Sequence, residues 1–310
     1  MRLLTYREAV REALREEMRR DERVFQLGED IGKYGGNSKV TVGLMDEFGP
    51  DRVRDTPLAE AGIVGAALGA ALVGMRPVAE IMYMDFSLIA ADQIMNQAAK
   101  THYMSAGQFT APLVIRTVQN CGNSAAAQHS QSLEAMFAHV PGLIVIFPST
   151  PYDAKGLLKS AIRNDNPVLF VECRPLYDLK GPVPDEDYLV PIGKADVKRE
   201  GKDVTVVGVA RNAMLALEAA KILEKEGIDI EVIDPRTISP LDRKTIIESV
   251  KKTSRLVIAH DAWKAGGIGA EIAASVAEAA MDYLDAPIRR VASRDIPAPS
   301  TPTLDQHALP

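Results

Sequence analysis

A carboxylate and an imidazole, Glu60 and His129, are the side chains whose settings suggest proton chemistry. Glu60 heads the run EAGIVGAALGAALVG, residues 60–74, one of the most apolar stretches of the chain. Apolar residues fall on every face of the helix this run predicts, so burial all round is expected. Gly65 and Gly69, four apart, let another backbone come close and suggest a helix packed inside an interface. Glu60 is then expected in a low-dielectric seam. Desolvation raises the pKa of a carboxyl group, and a carboxyl poised nearer neutrality can share a proton with a bound heterocycle. The plainer alternative is that Glu60 occupies a first helical turn, where the macrodipole favours negative charge.

His129 lies in AAAQHSQS, residues 125–132, after a predicted strand and before a predicted helix. That is the carboxyl edge where open α/β sheets bind ligands, which makes His129 a candidate proton carrier. A hydrogen-bonded structural histidine next to an N-capping Ser130 is the alternative. No acidic residue stands near it in sequence, so no serine-hydrolase triad is read. In the segment 80–86 (EIMYMDF), period-2 alternation puts Met82 and Met84 on one side of a strand and Tyr83 with Asp85 on the other, a pattern that ordinarily packs a core.

The elements that must position these groups alternate. Short apolar strands are predicted at 24–27, 77–84, 112–117, 143–147 and 168–171, with helices at 60–75, 85–104 and 152–163 between them. Thr5 and Glu8 form a capping box before an N-terminal helix. Residues 174–202 carry Pro175, Pro182, Pro184 and Pro191 and read as a linker. A second alternating unit follows, with strands at 204–209, 230–233, 256–259 and 288–291 and helices at 213–226, 243–252 and 269–284. The fold class is therefore α/β, in two units with parallel sheets covered on both faces. The tail 297–310 holds four prolines and is expected to stop without a closing helix.

Composition narrows the possibilities. The chain has 310 residues, 46% hydrophobic and 25% charged, with a net charge of −6 and no basic block, which argues against nucleic acid and anionic membranes as partners. Its two cysteines, Cys121 and Cys173, form neither a disulfide framework nor a zinc motif, and a cytoplasmic setting is expected. The segment GGIG, residues 266–269, is a partial dinucleotide turn that close helix packing explains better. No Walker loop, HExxH motif or Gly-Asp-Gly segment with a following Asn is present, so the chain lacks a complete phosphate site.

Five blocks, DTPLAEAGIVGAALGAAL, EIMYMDFSLIAADQIMNQAAK, AAAQHSQSLEAMFAHVPGL, PSTPYDAKGLLKSAIRNDNP and GGIGAE, closely resemble the beta subunits of thiamine-diphosphate-dependent 2-oxo acid dehydrogenases, over nearly the whole chain. The resemblance implies two three-layer α/β domains: a thiamine-pyrimidine-binding domain at 1–175, a linker at 176–202 and a transketolase C-terminal-like domain at 203–310. It implies that Glu60 hydrogen-bonds the pyrimidine nitrogen of thiamine diphosphate and favours its imino tautomer. Met82 and Phe86 match positions that pack against the pyrimidine, and His129 matches a histidine facing the substrate during acyl transfer to a lipoyl group. Leu113, Ala161, Ile162, Asn164 and Asn166 match a structural potassium site, with Asn164 where relatives often carry Asp. The implied partners are an alpha subunit, which holds the magnesium diphosphate in an alpha2-beta2 heterotetramer, and a lipoyl-bearing acyltransferase core. A pyruvate-like substrate is expected, with acetoin as the alternative. The competing readings of another class are a stand-alone α/β nucleotide-binding module and a scaffold.

Overall fold

A computed structural model describes every residue from Met1 to Pro310. The chain runs through β1 (Arg2–Thr5), α1 (Tyr6–Arg20), β2 (Val24–Gly28), α2 (Leu44–Phe48), β3 (Val53–Asp55), α3 (Glu60–Leu72) and β4 (Arg76–Ile81). A 3₁₀ turn (Met84–Leu88) and a π-helical turn (Asp92–Ala98) lead into α4 (Ala99–Met104), β5 (Val114–Gln119), α5 (Glu134–Ala138), β6 (Ile144–Ile146), α6 (Pro151–Arg163), β7 (Val168–Cys173) and β8 (Lys180–Val183). The second half holds β9 (Asp196–Arg199), β10 (Val204–Gly208), α7 (Arg211–Leu223), β11 (Ile230–Asp234), β12 (Thr237–Ser239) and α8 (Arg243–Thr253). It closes with β13 (Leu256–Trp263), α9 (Ile268–Ala280), β14 (Arg289–Ser293) and α10 (Pro302–Ala308).

Two sheets organise these elements. The first has the order β12-β6-β7-β5-β4-β2-β3 and the second β14-β13-β10-β11-β9. Both are parallel except at an edge, where β12 runs against β6 and β9 against β11. Strands such as β5 and β7, buried along their whole length, are what a sheet covered on both faces requires. The expected α/β class is thus the observed one.

The interior of the first sheet carries a charge. Arg116 of β5 is buried and reaches Glu80 of β4 (Nη1 to Oε2, 2.7 Å) and Glu172 of β7 (Nη2 to Oε1, 2.6 Å), while the Tyr177 hydroxyl donates to the other Glu172 oxygen (2.9 Å). Three neighbouring strands are tied at mid-sheet by one guanidinium.

Several local expectations are corrected. The region read as linker contains β8, paired with β1, and β9, an edge of the second sheet, because a strand edge can recruit an extended segment whatever its local pattern. The helix expected at 85–104 is broken into three turns. The break falls at residues 89–90, and before it the Asp85 carboxylate is anchored to another loop, accepting from Gln131 N (3.2 Å) and Nε2 (3.0 Å). The strand expected to reach residue 84 stops at Ile81, so Met82 to Asp85 lie beyond its end and the alternation argument does not apply to them. The tail does form a helix, α10, with Pro302 in its first turn.

Helix α3 departs most from expectation. Ile63, Val64, Ala67, Leu68 and Ala71 are buried, whereas Ala61, Gly62, Ala66, Gly69 and Leu72 face outward. Nothing lies within 4 Å of where a side chain on Gly69 would begin. This apolar helix therefore keeps one face that its own chain leaves uncovered. In the 266–269 segment, by contrast, close packing is real: a Cβ on Gly269 would fall 2.5 Å from Nε2 of the buried His260. No helix of the chain is long and apolar enough to cross a membrane.

Removing the mid-sheet cation leaves two carboxylates in the interior without it. Arg116→Met is expected to destabilise the chain by about 3–5 kcal/mol, the usual cost of stripping one partner from a buried ion pair. Urea unfolding at neutral pH measures this, and a loss below about 1 kcal/mol would be that of a surface pair instead.

Candidate active site

The carboxyl ends of β2, β3, β4 and β5 converge on one edge of the first sheet, and the functional side chains lie just beyond them. Gly28 ends β2 and is followed by Glu29 and Asp30. After β3, Thr56 N donates to Gly28 O (3.0 Å), which folds the chain back before α3 begins at Glu60. Glu60 is the first helical residue, 7% exposed, and no group of the chain donates a hydrogen bond to its carboxylate. Glu60 is buried, as expected, and it stands where the helix dipole favours negative charge.

Glu29 is the residue that sequence reasoning missed. It is 5% exposed, its Oε1 has no hydrogen-bond partner, and burial together with the negative charges of Glu60, Asp30 and Glu80 pushes its pKa up to about 7. The available signal was the Gly-Glu-Asp segment directly after an apolar strand, at the carboxyl edge. Of the three glutamates here, Glu80 alone is paired, to Arg116.

An aromatic cluster adjoins these carboxyls. The ring centroids of Tyr83 and Phe86 lie 5.3 Å and 5.1 Å from the His129 imidazole, both edge-on, and 6.1 Å from each other. Met82, next to Tyr83 in sequence, is half-buried, as are Phe86 and His129 within the cluster. The loop after β2 joins the two groups: Gly36, at φ +77°, packs near Glu80, and the next residue, Asn37, donates to the Tyr83 hydroxyl (2.6 Å). A half-buried imidazole against aromatic edges, next to buried unpaired carboxyls, can bind a flat heterocycle and pass protons to a small reactant.

The other predicted positions form a separate place at the amino end of the sheet. Leu113 O accepts from Val168 N (2.9 Å) and Ala161 O from Asn164 N (3.1 Å). Ile162 O and Asn164 O both accept from Arg76 Nη1 (2.9 and 3.1 Å), and Arg76 also pairs with Asp165. The Asn164 side chain turns to Asn166, accepting from its N (2.8 Å) and Nδ2 (3.0 Å). As they stand, these oxygens are engaged by donors of the chain, and the cation among them is a guanidinium. With a guanidinium already on the Ile162 and Asn164 carbonyls, the residues as placed do not fit a potassium ion beside it.

Comparison with known proteins agrees with the two-unit architecture. Residues 2–180 match the family described as transketolase, pyrimidine binding domain, and residues 193–310 match transketolase, C-terminal domain. The chain is 50% identical over 311 residues to the 2-oxoisovalerate dehydrogenase subunit beta of Bacillus subtilis, covering 100% of this chain and 95% of that protein. It is 50% identical over 307 residues to the pyruvate dehydrogenase E1 component subunit beta of Rickettsia felis, covering 99% and 94%. Among solved structures, a split gene transketolase described as an inactive beta4 tetramer superposes with a TM-score of 0.80 at 26% identity, covering 98% of this chain and 93% of that one.

The elevated Glu29 carboxyl makes a signed prediction. The folded chain keeps a proton that the unfolded chain has lost between its ordinary value of 4.5 and about 7, so Glu29 lowers stability as pH rises through that window. Carbon-13 titration of labelled glutamates is expected to show two carboxyls near pH 7, those of Glu29 and the buried Glu134; the first disappears in Glu29→Gln and moves down in Glu60→Gln, which removes a repelling charge. A Glu29 midpoint near 4.5 would contradict this picture.

Proposed function

Because the chain belongs to the transketolase-type beta subunits of 2-oxo acid dehydrogenase E1 components, we propose that it is half of a thiamine-diphosphate-dependent decarboxylase. Its substrate class is a 2-oxo acid. The observation that carries this reading is Glu60, a buried carboxylate with no donor from its own chain, at the head of a helix whose outer face is also uncovered. A carboxylate held this way suits a ligand that brings its own hydrogen-bond donor.

The residues present fit thiamine diphosphate at its pyrimidine end. Glu60 would hold the ring nitrogen's proton, and Glu29 behind it offers a second carboxyl whose proton is exchangeable near neutrality. Met82 and Phe86 would wall the ring. When bound, the coenzyme supplies the electron sink for decarboxylation. His129 then faces the acyl group, where its imidazole can take or give a proton as the acyl unit passes to a lipoyl arm. The rings of Tyr83 and Phe86 pack nearly perpendicular to the imidazole and hold its plane.

The diphosphate end is absent from this polypeptide, which lacks any phosphate-cradling motif, so an alpha-type partner is assigned the magnesium diphosphate. The partner surface we propose is the outer face of α3 with the exposed Leu58, Val73, Leu88 and Ile89 nearby. This supports an alpha-beta heterotetramer, with the lipoyl-bearing acyltransferase as the onward acceptor. Both cysteines are buried and unpaired, in keeping with a reducing cytoplasm.

Two experiments test this. With an alpha-type partner, thiamine diphosphate and magnesium, Glu60→Gln is expected to lower turnover of pyruvate or 2-oxoisovalerate roughly 10²–10⁴-fold, the range of a lost general acid/base. Unchanged turnover refutes the role, and turnover of acetoin alone would move the substrate class. Gly69→Leu places a side chain in open space on α3, so the isolated chain should be as stable as before or more so, gaining up to about 1 kcal/mol from helix propensity. Co-purification with the partner should be lost. Retained assembly would remove α3 from the interface.

A further inference from the structure

The loop that carries His129 is strained, and something must hold it. Between β5 and α5, Ser124 and Ala126 both adopt left-handed backbone conformations, at φ +54° and +65°. Neither is glycine, and such residues persist where surrounding contacts over-determine them. His129 depends on both ends of this loop: its N–H donates to Ala126 O (3.2 Å), and its carbonyl accepts from Asn120 Nδ2 (3.0 Å).

The holding contact comes from the far end of the chain. Asp305, 3% exposed on α10, accepts from Ser124 N (2.7 Å) and from Ser124 Oγ (3.2 Å) with the same carboxylate oxygen, Oδ2. The neighbouring Asn123 donates through Nδ2 to Asn120 Oδ1 (2.7 Å), which orients the Asn120 amide toward the His129 carbonyl. Helix α10 is itself fixed, since Ala308 O accepts from Arg294 N (2.9 Å) just after β14, and Leu309 packs over Gly122. A continuous line of contacts therefore runs from Asp305 through Ser124, Asn123 and Asn120 to the backbone of His129.

We infer that Asp305 is a positioning residue: the C-terminal helix, through this carboxylate, sets the place of the His129 imidazole. The inference rests on the reading of His129 as the group that serves acyl transfer. A carboxylate accepting from a backbone N–H is a strong hydrogen bond, and here it lands on the residue whose conformation most needs support. If Asp305 merely stapled the C-terminal helix, an apolar contact or any exposed side chain could end the chain equally well. Instead the carboxylate is buried and directed at a left-handed residue of the site loop. Its effect should be felt in the step that uses the imidazole more than in the step that uses Glu60, because the hydrogen bonds of Asp305 go to Ser124 and within its own helix and none goes to α3.

The test uses the full chain assembled with an alpha-type partner, assayed two ways: decarboxylation with an artificial electron acceptor, and reductive acylation of free lipoamide. Asp305→Ala is expected to slow acylation roughly 10- to 100-fold, the scale of a misplaced catalytic group, and to slow decarboxylation far less. Asp305→Asn, which keeps an oxygen to accept the Ser124 N–H, should recover most of the loss. Asn120→Ala should resemble Asp305→Ala, and the double variant should be no worse than either alone, since both cut one line. In the full chain without coenzyme, hydrogen exchange at residues 124–129 should quicken in Asp305→Ala. Equal loss of both activities, additive single effects, or unchanged acylation with unchanged exchange would each overturn the inference. His129→Ala separates the two claims: if that variant still acylates lipoamide normally, the reading of His129 has failed, whereas if it fails to acylate while Asp305→Ala succeeds, the positioning claim has failed. Should Asp305→Ala not accumulate as a folded chain, Asn123→Ala cuts the same line without touching α10. The same selective loss of acylation is then expected, and its absence overturns the inference equally.

Discussion

Negative charge with too little positive charge is the constraint around which this molecule is arranged. Glu29, Glu60 and Glu80 crowd one sheet edge, and only Glu80 has a cation, Arg116. A buried carboxylate is costly unless it is paired, protonated or set against a dipole, and each of the three takes a different one of these routes. Glu80 shares the mid-sheet guanidinium with Glu172, Glu29 keeps its proton to near neutrality, and Glu60 sits at the amino end of α3. The parallel sheet makes this possible by bringing four strand ends to one edge and holding them rigidly.

The same helix that steadies Glu60 also explains why the site is incomplete. An α-helix with apolar residues all round has no stable place on the outside of a single chain, and α3 has one face on β4 and another facing outward. Its outward face is made largely of Ala and Gly, which costs little when exposed and admits a close neighbour when covered. A carboxylate without a donor and a helix without a lid lie at the same point. Under the proposed function both wants are met by one event, arrival of a partner with a coenzyme between.

Rigidity at the other side of the site is obtained from distant sequence. The aromatic edges around His129 come from the segment after β4, the Tyr83 hydroxyl is fixed by Asn37 from the loop after β2, and the His129 loop is held by α10. Three separate parts of the chain thus define one imidazole. At the opposite end of the sheet, Arg76 gathers the carbonyls of Ile162 and Asn164, so that the turn after α6 is closed by a cation belonging to the chain itself.

What the sequence determined by itself was everything carried by local pattern: the alternation of strands and helices, the capping box of α1, the acid at the head of α3, the histidine loop at a strand end, and the motif blocks that name the family. Those features depend on residues a few positions apart, and so they can be read without coordinates. The tertiary structure alone decided the rest. Glu29 holds its proton because it is buried with Glu60 and Glu80 around it, Asp85 is held by Gln131 of another loop, and the tail helix meets Ser124 through Asp305. Each of these outcomes is set by burial or by a partner far away in sequence, and no periodicity records which distant residue will arrive.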